Sequence, residues 1–179
     1  DYAGAKQWFD NVIANGVTPS GDKYALLDNY ASIYNAEFDN HAEAVFDVES
    51  ANNTGSVNNA NYFDDLNYPY NTGSDGPGNC CGFFQPSFEL ANSFRTKDGL
   101  PLLDKSYNSA DNEVAHDFLI ESSDPFTPDA KPLDPRIDHS IGRRSIPYLD
   151  WIAHPGKNWI RKQDYAGPYS PKKYIYYKS

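Results

Sequence analysis

Residues 82–104 read GFFQPSFELANSFRTKDGLPLLD, and residues 134–151 read DPRIDHSIGRRSIPYLDW. Pro86 suits the first turn of a short helix over 86–94, where its missing N–H has no intrahelical partner to lose. Phe88, Leu90, Ala91 and Phe94 give that helix a packing face. Asp98-Gly99 reads as a turn. Between the two blocks, Pro125, Pro128, Pro132 and Pro135 interrupt any helix, and residues 107–117 are polar enough to be a loop. Residues 136–141 alternate roughly as a short strand. From residue 142 onward the chain reads as mostly irregular, with turns at His154-Pro155-Gly156, Gly167-Pro168 and Ser170-Pro171. These blocks specify a mainly α chain, rich in loops, with little β structure.

Outward toward the N-terminus the pattern changes. Ala5, Trp8, Phe9, Val12 and Ile13 recur at three- and four-residue steps and predict a helix over 2–15, opened by Asp1 and closed by Gly16. Leu26, Leu27, Tyr30, Ala31, Ile33 and Tyr34 predict a second helix over 26–36, antiparallel to the first. Such a hairpin cannot bury its own face, so it calls for a neighbouring wall. Trp8, on the first stripe, is expected to be structural. Ala44, Phe46 and Val48, with apolar Val45 among them, read as a buried β segment. In residues 51–80, eighteen of thirty are Asn, Gly, Ser, Thr or Pro, punctuated by Tyr62, Phe63, Tyr68 and Tyr70. That composition predicts an irregular segment, and the rings in it point to a functional loop.

Composition removes several classes of function. Residues 1–130 carry 5 basic and 21 acidic side chains, whereas residues 131–179 carry 10 basic and 4 acidic. The acidic body argues against nucleic acid, whose phosphates need a basic footprint, and the basic segment is expected to neutralise it within one fold. Fourteen tyrosines in 179 residues exceed what a core uses, since each buried hydroxyl needs a partner, and so favour a binding surface. Cys80 and Cys81 are the only cysteines; a vicinal disulfide and a pair of packed thiols are both open readings. His41, His116, His139 and His154 lack metal-like spacing. No cofactor is expected, although loop carboxylates at Asp39, Glu43, Asp64, Asp65 and Asp75 could suit calcium. No phosphate loop, nucleophile elbow or apolar signal segment is present.

Several short motifs in order carry a family resemblance. EAVFDV at 43–48, Gln85-Pro86 followed by Phe94 and Asp98-Gly99-Leu100-Pro101, then Asp134-Pro135-Arg136 and the tail HPGKNWIRKQDYAGPYSPKKYIYYK resemble the C-terminal part of the RagB/SusD family, surface glycan-binding lipoproteins of Bacteroidetes. The resemblance implies a TPR-like helical hairpin over residues 1–40 followed by a loop-rich SusD-like region over 41–179. It also implies a chain shorter than the whole protein and a lipid anchor at the outer membrane, outside these residues. The implied function is non-catalytic binding of an oligosaccharide or polysaccharide and its delivery to a SusC-like TonB-dependent transporter. The alternatives are a protein-docking TPR-type module and, less favoured, a polysaccharide hydrolase.

Sugar binding needs flat rings for the C–H face of a pyranose and polar groups for its hydroxyls. The stretch NNANYFDDLNYPYN at 58–71 holds both, which makes Tyr62, Phe63, Asp65, Asn67, Tyr68 and Tyr70 the candidate glycan contacts, with Trp159 as a further platform. Trp151, after the apolar Pro147–Leu149, is expected to be a core anchor. Arg136 is expected to brace several loops at once through its guanidinium, and Arg143-Arg144 to brace the same core or lie in solvent. Asp64-Asp65 is a poor hydrolytic pair, because glycosidase carboxyls face each other about 5–10 Å apart across the scissile bond.

Overall fold

The computed structural model describes residues 1–47, 67–78 and 81–179. The chain divides into two compact units, residues 1–54 and 55–179.

In the first unit, helix α1 (Tyr2–Asn15) forms as its stripe predicts. The Asp1 carboxylate accepts from the Ala3 amide at 3.0 Å, and the Gly16 amide closes the last turn on Val12 O at 2.7 Å. Glycine is required at 16 because a Cβ there would sit 2.6 Å from Val12 O and 2.8 Å from the Tyr24 ring. No residue of α1 is buried. Trp8 is 73% exposed, so its expected core role is corrected: the apolar stripe is intact but no described residue of this unit encloses it. The physical reason lies in the second segment. Instead of a helix over 26–36 there are two 3₁₀ turns, Tyr30–Tyr34 and Ala36–Phe38. Asn29 and Asn35 each turn their side chains onto the backbone two residues ahead, accepting from Ala31 and Glu37 at 3.0 Å. These local bonds compete with helix propagation, and the aromatic and β-branched residues between them are weak helix formers. Residues 43–47 form no strand, and Val45 and Phe46 are 73% and 86% exposed; Val48 lies outside the described residues.

The second unit holds the cores. Helix α2 (Phe88–Ser93) starts two residues later than the predicted 86, because Ser87 caps it by accepting from the Leu90 amide at 3.1 Å. Ala91 is fully buried, with Phe88 and Phe94 beside it, while Leu90 faces outward at 45% exposure. Strands β1 (Thr96–Lys97) and β2 (Leu100–Pro101) pair antiparallel around Asp98 and Gly99, both at positive φ (53° and 78°), as a two-residue hairpin turn demands. Residues 137–140 are helix α3 (Ile137–Ser140) rather than the expected strand. The Asp134 carboxylate and the carbonyls of Asp134 and Pro135 take up the next amides, which coils the chain before it can extend. Strand β3 (Ile141–Gly142) follows and pairs antiparallel with β4 (Ser170–Pro171), just beyond helix α4 (Gln163–Ala166).

Among the described residues two apolar clusters result. Ala91, Ile137, Ile141 and Tyr169 form one, and Tyr148, Trp159 and Ile175 the other. A Cβ on Gly142 would meet the Tyr148 ring at 2.5 Å and the His154 ring at 3.1 Å, so this strand can approach only as glycine. Most of the unit is loop, and buried guanidinium groups hold it. Arg95 forks onto Asp129 at 3.0 and 2.7 Å and also donates to Asn112 O, Glu113 O and Pro132 O. Arg144 donates to the carbonyls of Glu121, Ser122 and Asp124, and Arg143 forks onto Asp138 at 2.7 and 3.0 Å. Arg95 and Arg144 thus act as multi-loop braces of the kind expected of Arg136. Among its contacts, Arg136 forks onto Asp134, and its side chain is 59% exposed.

Candidate functional site

Residues 67–78 are described as turns without a regular element. Pro69 is fully buried, and two backbone bonds fasten its neighbours: Tyr70 N to Trp159 O and Gly82 N to Tyr68 O, both 3.0 Å. Gly82 has φ +63°, and a Cβ there would press on Tyr70 Cβ at 3.1 Å and Arg161 Cβ at 3.2 Å. Glycine thus lets the 81–83 backbone lie directly on both residues. The product is a compact surface group. The Arg161 guanidinium stands 4.4 Å from the Phe83 ring centre and 5.6 Å from that of Tyr70, and its Nη1 donates to Cys81 O at 3.0 Å. Tyr70 is 38% exposed, and Phe83 and Phe84 are each 44% exposed. Cys81 is disulfide-bonded, which settles the open reading of the thiols; Cys80 lies outside the described residues.

A second aromatic group adjoins through Tyr68. Tyr68 meets Tyr176 edge-on at 5.9 Å, and Tyr176 meets Trp151 edge-on at 5.8 Å. Trp151 donates from Nε1 to Tyr176 O at 3.1 Å, and Lys178 Nζ lies 5.5 Å from its ring. Tyr176 and Tyr177 are 50% and 43% exposed.

The predicted contacts therefore separate. Tyr70 is on the surface. Tyr68 is half-buried against the Tyr148–Trp159–Ile175 cluster. Asn67 is buried, at 8% exposed, so its amide is not displayed as a sugar contact would be. Trp159 is corrected from platform to core: it is 4% exposed, edge-on to Tyr148 at 5.5 Å and to His154 at 5.4 Å, with Gly76 against its ring. Trp151, expected in the core, packs at the margin of that cluster and keeps part of its ring outside. Tyr62, Phe63 and Asp65 lie outside the described residues, as does Asp64. Sequence reasoning missed Phe83, Phe84 and Arg161. Adjacent exposed phenylalanines next to a glycine were a usable signal; the position of Arg161 beside Tyr70 was not, because it depends on a contact across about ninety residues of chain.

A polar cleft of about 540 Å³ is lined by Ser122, Arg144, Ser145, His154 and Asn158, but its ionisable groups are spent on the fold. Arg144 is committed to three carbonyls. His154 accepts from the Gly156 amide on Nδ1 and therefore carries its proton on Nε2, donating to Ser170 Oγ at 2.8 Å. Burial, reinforced by the charges of Lys172 and Arg144, lowers its pKa to about 3, so it stays neutral and does not shuttle protons at neutral pH. Among the described residues no group of three His, Cys, Asp or Glu side chains could hold a metal ion. No helix among them is long and apolar enough to cross a membrane.

The chain matches the model of the SusD family over residues 42–178, which is most of its length, and it belongs to that family. The match begins beyond α1 and both 3₁₀ turns. No match appears among curated proteins.

Proposed function

We propose that this chain is a non-catalytic glycan-binding part of a SusD-like protein at the outer-membrane surface, lipid-anchored, passing oligosaccharides to a SusC-like TonB-dependent transporter. Family membership supports glycan binding in a nutrient-uptake system. The observation that carries the reading to a place on the molecule is the exposed group of Tyr70, Phe83 and Phe84 around Arg161. Half-exposed rings offer the flat apolar surface that a pyranose face needs, and the guanidinium beside them offers hydrogen-bond donors for its oxygens. Tyr62, Phe63 and Asp65 stay candidate contacts on their sequence grounds, and Tyr68 supports the neighbouring aromatic group.

Native affinity gels over a panel of polysaccharides, with an assay for released reducing ends, test this. Retardation by at least one glycan without hydrolysis is expected. Tyr70→Ala should weaken that binding by on the order of 1–3 kcal/mol, by analogy with stacking on aromatic platforms. Retention of full affinity in Tyr70→Ala and Phe83→Ala would move the site elsewhere, and release of reducing sugar would replace the binding role with a hydrolytic one. The exposed stripe of α1 favours a second, narrower role in docking to another protein surface. Capture of the transporter by the parent and not by a Trp8→Ser, Ile13→Ser variant would establish it.

A further inference from the structure

The chain has five arginines, and four of them face a carboxylate: Arg95 faces Asp129, Arg136 faces Asp134, Arg143 faces Asp138 and Arg144 faces Asp117. Arg161 is the exception. No carboxylate of a described residue lies within ion-pair distance of it, in a protein of net charge −10. Its guanidinium lies over the Phe83 and Tyr70 rings and, among the described residues, donates one hydrogen bond, from Nη1 to Cys81 O. A guanidinium has five N–H donors, so most of its donor edge faces outward from an exposed position. Stacking on Phe83 and Tyr70 fixes that edge in advance, which lowers the ordering cost of binding something there. Arg161 belongs to the basic part of the sequence, where residues 131–179 carry 10 basic and 4 acidic side chains.

The geometry points to a site for a sugar that carries a carboxylate: Arg161 pairs with the carboxylate of a uronic acid residue whose ring lies against Tyr70 or Phe83. This rests on the glycan-binding reading above and narrows it to acidic glycans. A planar carboxylate matches the guanidinium fork in two parallel hydrogen bonds, a match that a neutral hydroxymethyl group cannot make. An exposed guanidinium that no carboxylate of a described residue pairs keeps its charge for an incoming anion, whereas the other four arginines each face a carboxylate.

The test uses polygalacturonate, alginate, glucuronoxylan and hyaluronan, each beside its carboxyl-reduced counterpart, which keeps the rings and removes the charge. Affinity gels and calorimetry on the full chain are expected to show at least one native polymer binding on the order of tenfold or more tighter than its reduced form, with the difference shrinking as salt rises. Arg161→Gln should erase the difference, and Arg161→Lys should keep part of it, since lysine restores the charge and not the fork. Circular dichroism melting of both variants at the parental temperature secures that the fold is intact. Equal binding of native and reduced polymers, or binding of neutral glycans alone, overturns the acidic preference and leaves the glycan-binding reading standing. Equal binding of poly-glutamate overturns it too, by showing a site for anions at large. Binding of no polymer, charged or neutral, removes both readings together.

Discussion

Arg95 donates five hydrogen bonds from a position only 2% exposed, and with Asp129 it forms a pair in which both side chains are 3% exposed. Removing one partner strands the other charge in the interior, so Arg95→Ala should cost about 3–5 kcal/mol in urea unfolding. Arg95→Lys should recover little, because an ammonium cannot fork onto Asp129 and reach Asn112 O and Glu113 O together; an unfolding midpoint like the parent's would show that charge alone suffices. Trp159→Ala should cost about 3–5 kcal/mol, since its ring fills the space between Tyr148, His154 and Gly76. At this scale the sequence was a partial guide. Tyr70 was readable as exposed because it stands in a run of turn residues. The roles of Trp151 and Trp159 were not, because apolar neighbours in sequence do not report which ring the β3–β4 region closes over. Arg136 drew attention through its motif, while the buried braces, Arg95 and Arg144, look like any surface arginine until their distant carbonyls are in place.

Among elements, α1 was the most legible, since a long amphipathic stripe with a cap at each end has one local solution. What the stripe could not state is whether a wall exists to receive it. Because Trp8 is 73% exposed, Trp8→Ala should alter the stability of this chain by no more than about 0.5 kcal/mol. A loss of several kcal/mol in thermal unfolding would mean that the ring is enclosed in solution after all. The predicted second helix failed for a reason written in its own residues, the two asparagines that cap short turns, yet an apolar period gives no weight to such caps. The strand predicted over 136–141 failed similarly, since alternation over six residues is no stronger than the turn imposed by Asp134. Strand β3 tolerates no side chain at its second position, and Gly142→Ala should cost about 1–3 kcal/mol by forcing Tyr148 away.

For the whole molecule, acid is the expected weakness. His154 is held neutral with a pKa of about 3 against an ordinary 6.5, first by burial and then by Lys172 and Arg144. The unfolded chain therefore takes up a proton that the folded one refuses, and stability falls as pH drops from 6.5 toward 3. Burial of Asp129 would raise its pKa, but hydrogen bonds from Arg95 and from the Ala115 and Lys131 amides outweigh this and hold it at about 2. Its contribution, present above 3.8, is lost between there and 2. Lys172, lowered to about 8 from 10.5 by burial, acts in the alkaline range, where stability rises between those values. Melting temperatures from pH 8 to 4 should fall already between 6.5 and 5, above the carboxylate range, and His154→Gln should flatten that upper limb whatever its absolute stability. An unchanged slope would remove His154 from the account. The loop-rich, helix-over-strand character of the molecule was readable in its prolines and glycines. The buried charges that hold those loops were not, because they are contacts between residues tens of positions apart.

The buried arginines also decide where a protease can act. Trypsin needs a basic side chain and several flanking residues free to enter its cleft, yet Arg95, Arg143, Arg144 and Lys172 are each at most 8% exposed. Arg136 and Arg161 stand in the open. A brief digest of the native chain should therefore nick after Arg136 and Arg161 and spare the other four. Peptides ending at Arg95 or Arg144, quantified by mass spectrometry, would then count unfolded molecules directly, and a chain dominated by loops would prove as resistant to trypsin as a helical bundle at those bonds.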